Sequence, residues 1–114
     1  MKTWRSILLL IVLTGSMWLV NIASACCSTV NGTVTAISVL PGGQFFFGLS
    51  GSESGKPACN TTNRYVVDTN TQGGRSTMSV VLSAYLSGKT LTVLGFQTCT
   101  IWSDSEDMGS LTSP

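Results

Sequence analysis

The sequence predicts a mainly β domain carrying one helix, on three observations. Residues 73–88, GGRSTMSVVLSAYLSG, set Met78, Val81, Leu82 and Tyr85 at i, i+3, i+4 and i+7, which aligns them as one apolar stripe on a helix. On either side the pattern changes to short segments rich in Val, Ile, Thr and Phe, the composition of strands. Between these lie stretches such as Pro41-Gly42-Gly43 and residues 50–63, SGSESGKPACNTTN, in which Gly and Pro break any period.

In chain order, residues 30–40 are β-branched but alternate only in part. Val30, Gly32, Val34 and Ala36 share a face, while Ile37 and Val39 fall out of step. A change of phase inside a strand calls for a bulge, the usual way a long first strand bends around a small barrel. After the turn at 41–43, residues 44–49 carry Phe45, Phe46 and Phe47 in a row, so at least one ring must face away from the main core. Cys59 anchors the loop that follows. Residues 64–68, RYVVD, read as a short strand, and 69–74 turn into the helix, with Gly73 and Gly74 loosening its entry and Gly88 supplying a left-handed stop. Residues 89–96 then alternate Leu91 and Val93 inward with Thr90 and Thr92 outward. A final strand is expected over 97–102, with 108–111 extending or returning it. Three strands, a helix and two strands is the order of an OB-like barrel, five-stranded with its helix between strands three and four, which binds oligosaccharides or oligonucleotides on its open face. An open α+β sheet covered by the same helix is the structural alternative.

The N-terminus has the parts of a secretory signal: Lys2 and Arg5, an apolar run from 7 to 20 broken at 14–16, then Ala23-Ser24-Ala25. The unbroken apolar stretch is shorter than the roughly 20 residues of a membrane span. Residues 1–25 are therefore expected to be removed, leaving 26–114 as one domain of secreted or periplasmic location. A second reading has Cys26 lipidated, which tethers the protein to a membrane. Beyond residue 25, Lys56, Arg64, Arg75 and Lys89 face Glu53, Asp68, Asp104, Glu106 and Asp107, so there is no basic field for nucleic acid.

A domain of this size gains from a covalent staple, and all four cysteines lie beyond the expected cut. Four cysteines allow three pairings. Cys59 with Cys99 is favoured because both sit inside the folded region, and closing a loop of about 40 residues contributes roughly 3 to 4 kcal/mol. Cys26 and Cys27 then pair with each other, join another chain or stay free.

The chain holds no histidine, which excludes Ser-His-Asp and Cys-His catalysis and histidine metal sites. The cysteine spacing lacks the close pairs of thiolate metal sites, so no metal or cofactor is expected. In residues 102–107, WSDSED, Asp104 and Glu106 would share one face if the strand ran through them, and a carboxylate pair can do acid and base work on sugars. A solvated loop or a cap on neighbouring backbone is the plainer role for these acids. Beside them Trp102 can stack on a sugar ring while the acids accept its hydroxyl hydrogen bonds, or it can plug the bottom of the barrel.

The segments GTVTAISV and FFFGL, PAC at Cys59, RYVVD, the unit GGRSTMSVVLSAYLSGKTLTV and CTIWSDSED together resemble a group of small exported bacterial proteins and, more distantly, the pentamer-forming B subunits of subtilase-type cytotoxins. This resemblance, over most of 32–111, implies an OB-like fold, a Cys59–Cys99 bridge and a lineage in which some members bind glycans through a ring of subunits, beside a catalytic partner chain. The expectation is a non-enzymatic exported binding module that takes a glycan through Trp102, Asp104 and Glu106, or docks on another envelope or toxin protein, and that can self-associate. The alternative is a structural or interaction protein of the envelope, tethered at Cys26.

Overall fold

A computed structural model describes residues 27–114; the expected signal segment, 1–25, and Cys26 lie outside the described residues. Its elements follow as β1 (Ser28–Val39), β2 (Gln44–Leu49), β3 (Tyr65–Asp68), α1 (Gln72–Ser87), β4 (Thr90–Gly95) and β5 (Glu106–Thr112). The long β1 pairs antiparallel with β4 through its first half and with β2 through its second. The expected change of phase is a register shift between Val34 and Ala36, where β1 passes from one partner to the other. β2 pairs with β3, β3 runs parallel to β5, and β5 pairs antiparallel with β4, so the sheet closes into a ring in the order β1-β2-β3-β5-β4.

Alternation along each strand fills the interior of that ring. Val30, Val34, Phe45, Phe47, Tyr65, Val67, Leu91 and Val93 form the core with Val81 and Ala84 of α1. Each large apolar side chain buried there contributes roughly 1.5–3 kcal/mol. Phe46, between two inward rings, points to the other face, as three successive aromatics on a strand require.

The helix packs against β1 and β3. Its buried residues are Gly74, Val81 and Ala84, with Met78 and Leu82 partly covered. Tyr85, expected on the apolar stripe, is 43% exposed, while its small neighbour Ala84 is buried. Thr71 caps the first turn by accepting a hydrogen bond from Gly74 N at 3.0 Å, and Gly88, at φ 68°, ends the last turn in the left-handed region. Gly74 has a more specific role than loosening the entry: a Cβ there would run into the Asp68 carbonyl, whereas at Gly73 the space is open.

The largest departure from expectation is at 97–102. This segment is no strand; it is a loop, with Gln97 in the left-handed region at φ 61°, and the last strand begins only at Glu106. The cause is Asp107. Its carboxylate accepts from Thr98 Oγ1, Thr100 N, Thr100 Oγ1 and Ile101 N at 2.7–3.1 Å, taking backbone donors that a ladder would have used.

Candidate functional site

Two loops meet on the outward face of β2 and β3, and the local chemistry that joins them also builds the site. The loop 50–64 is tied to the loop 97–105 by the Cys59–Cys99 disulfide, whose Cα atoms are 6.2 Å apart. Thr61 N and Thr62 Oγ1 both donate to the Asp104 carbonyl, at 3.2 and 2.9 Å. Arg64 completes the junction. Its Nε donates to Ser105 Oγ at 2.7 Å and its Nη2 meets Asp104 Oδ1 at 3.2 Å.

This junction lies over Phe46. The Arg64 guanidinium sits 4.1 Å from the centre of the Phe46 ring, a cation–π contact. Trp102 meets the same ring at 83°, centroids 5.6 Å apart, and keeps 36% of its surface exposed. Alongside runs a groove of about 330 Å³ lined by Phe46, Thr62, Asn63 and Arg64 together with Ala36 and Ser38 of β1. The hydrogen bond from Ser105 and the ion pair with Arg64 hold the Asp104 carboxyl below the usual aspartate range, so it is ionised at neutral pH. An exposed indole beside a guanidinium–carboxylate pair offers an apolar face and both hydrogen-bonding senses within one patch.

Of the residues singled out in sequence, Trp102 and Asp104 share this patch and Glu106 does not. Asp104 stands in a turn closed by Ser105 N donating to the Trp102 carbonyl at 3.3 Å, and β5 starts two residues later. Glu106 is paired in register with Tyr65 and is fully buried inside the ring. Its Oε2 accepts from Ser28 Oγ and from Gln97 N. Gly95 makes the room, since a Cβ at that position would collide with the Glu106 carboxylate. The carboxylate that faces Glu106 comes from elsewhere in the chain: Glu53, in the loop 50–64.

The sequence pointed to the aromatics of 45–47 as a group without singling out Phe46, and it left Arg64 and Glu53 aside as site residues. For Arg64 a signal existed, because a cation at the start of a short strand paired with a Phe-rich one has an aromatic partner within reach. Glu53 gave none, being one acid in a Ser- and Gly-rich loop. Among the described residues no group of three or more His, Cys, Asp or Glu side chains is placed to hold a metal ion. Comparison of the chain with protein-family models, with curated proteins and with solved structures returned no match.

Proposed function

We propose that the chain is an exported, non-enzymatic binding module of OB-like barrel form, with its helix between the third and fourth strands, and that its ligand is a glycan. The observation that carries this reading is the patch of Trp102, Arg64 and Asp104 laid over Phe46 on the outward face of β2 and β3. OB-type barrels use that face for oligosaccharides and oligonucleotides. Oligonucleotides are disfavoured because Asp104 places a negative charge in the patch and the domain has no basic surface to neutralise phosphates.

A sugar suits the same groups. The indole stacks on the apolar face of a pyranose, while Arg64 donates to ring hydroxyls and Asp104 accepts from them. Catalysis on that sugar lacks its second carboxylate, since Glu106 is buried inside the ring and cannot reach a ligand stacked on Trp102. The resemblance to toxin B subunits points in the same direction and adds self-association and a protein partner to the reading.

The test is a glycan array probed with the oxidised protein, followed by titration calorimetry on the hits. Trp102→Ala is expected to weaken binding about tenfold or more, the size of a lost aromatic stacking contact, and Trp102→Phe to retain most of it. An array without hits, or a hit indifferent to Trp102→Ala, overturns the proposal.

A further inference from the structure

A second group of polar side chains, at the end of the ring where β1 begins, is unused by the glycan patch and stands apart from that reading. Glu106 is 0% and Tyr65 2% exposed, and the loop residue Glu53 reaches toward both. Three buried polar atoms there have no hydrogen-bond partner: Glu53 Oε1, Glu106 Oε1 and Tyr65 Oη. The other carboxylate oxygens are occupied. Glu106 Oε2 accepts from Ser28 and Gln97, and Glu53 Oε2 accepts from Asn60 Nδ2 at 3.2 Å. Beside them is a pocket of about 410 Å³, walled by Ser52, Glu53 and Lys56 on the loop side and by Val30, Leu49 and Tyr65 on the ring side.

Two acids within hydrogen-bonding reach of each other repel when both are ionised, and one proton between them turns the repulsion into a hydrogen bond. Among the described residues no cation is paired with either acid. Lys56, which lines the same pocket, donates its Nζ to Asn63 at 2.6 Å. The groups facing the pair are Ser28 from β1, Tyr65 from β3, Asn60 and Lys56 from the loop, and the Gln97 amide after β4. The loop itself has little else to hold it. Between Ser50 and Lys56 there is no apolar side chain. Ser50 is anchored to Thr33, its N donating to the Thr33 carbonyl at 2.9 Å and its Oγ accepting from Thr33 N at 3.0 Å. Beyond Ser50 the backbone is tied by Thr29 and Ser54 exchanging hydrogen bonds at 2.8 Å and by Gln97 Nε2 donating to the Gly55 carbonyl at 2.8 Å.

We propose that in the closed protein Glu53 carries a proton and donates it to Glu106, and that loss of this proton to solvent frees residues 50–56 from the end of the ring. The carboxyl pair is thus a pH-operated latch on one wall of the pocket. Burial, reinforced by the facing Glu106, raises the Glu53 carboxyl from 4.5 to about 7, so the latch weakens as pH rises from 4.5 and is fully released above about 7. Tyr65, its hydroxyl also pushed up by burial, keeps its proton throughout that range.

The readout is the bridge between Thr29 and Ser54. Amide hydrogen exchange by NMR, corrected for base catalysis, is expected to lose protection at these two amides by about tenfold per unit of pH between about pH 5 and about pH 7 in the native sequence and to level off above it, since the carboxyl of the freed loop ionises above 4.5 and the closed one only at about 7. Glu53→Gln keeps a donor toward Glu106 at every pH and is expected to hold protection constant. Constant protection in the native protein, or the same decline in Glu53→Gln, overturns the latch. Should that variant fail to fold, carbon-detected titration of the Glu53 carboxyl in the native protein decides the matter. A midpoint near neutrality, at the pH where the loss of protection levels off, supports the latch, and a midpoint in the ordinary glutamate range overturns it.

Discussion

Asp104, Glu106 and Asp107 sit within four positions of one another and meet three different fates: a surface ion pair, a buried acid inside the ring, and a loop organiser. What separates them is the point at which β5 begins, for Glu106 and Asp107, its first two residues, turn their side chains to opposite faces, the interior and the outside. Asp107 points outward, 5% exposed, and satisfies two backbone amides and two hydroxyls of the loop 98–101. Burial alone would raise its carboxyl, but the hydrogen bonds from Thr100, Ile101 and Thr98 outweigh it and hold the group below its ordinary value. Removing the acceptor leaves those donors without partners. Asp107→Ala is expected to lower stability by about 2–4 kcal/mol in urea unfolding, with a red shift of tryptophan emission as Trp102 loses its seat against Phe46. A loss below about 0.5 kcal/mol would mean that water replaces the carboxylate at no cost and that the loop is held by the disulfide alone. The role of Asp107 was not legible in the run WSDSED, because half of its partners are backbone amides, which carry no residue signature, and the others are threonine hydroxyls in a segment that reads as strand.

At the scale of elements, β1, β4 and the helix were legible because each has a period: two faces that differ in a strand, or a stripe in a helix, whereas β2 was legible from its run of aromatics after the turn at 41–43. The bulge in β1 was legible for the same reason, as a break of phase that the register shift at Val34–Ala36 reproduces. The last strand was not, since Gln97–Trp102 has strand composition but lies next to an acid that takes its amides. The helix shows the limit in a different way. Its sequence stripe is Met78, Val81, Leu82 and Tyr85, yet the residues it buries are Val81 with Gly74 and Ala84, the last two too small to register as apolar signal. Adjacent glycines then separate two roles. Gly74→Ala is expected to cost about 2 kcal/mol or more by forcing α1 away from the Asp68 carbonyl, whereas Gly73→Ala, where nothing lies within 4 Å, is expected to add about 0.5–1 kcal/mol by restricting the unfolded chain. Equal effects at the two positions, read from thermal unfolding, would remove the close approach of helix and β3 as the reason for the second glycine.

For the whole molecule, the groups with displaced acidities act in opposite directions on stability, and their sum sets a pH optimum. Asp107 binds its proton less tightly folded than unfolded, so its contribution is present above the ordinary aspartate range and disappears as pH falls through its lowered value. Glu53 binds its proton more tightly folded, so its contribution is complete below 4.5, declines as pH rises, and is gone above about 7. Asp104 is displaced in the same sense as Asp107 but stands in solvent, where its ion pair with Arg64 is screened and adds little. Stability therefore rises from strong acid to a maximum on the acid side of neutrality and falls again toward pH 7, in contrast to domains that gain stability up to neutral pH. Urea midpoints measured from about pH 3 to about pH 8 are expected to trace that dome, with Glu53→Gln flattening its upper limb and Asp107→Asn its lower one. A midpoint that climbs steadily through neutrality would place the Glu53 carboxyl in water rather than against Glu106. The end of the ring would then be held by the Cys59–Cys99 bridge and the Thr29–Ser54 pairing, with no titratable contact between loop and barrel wall.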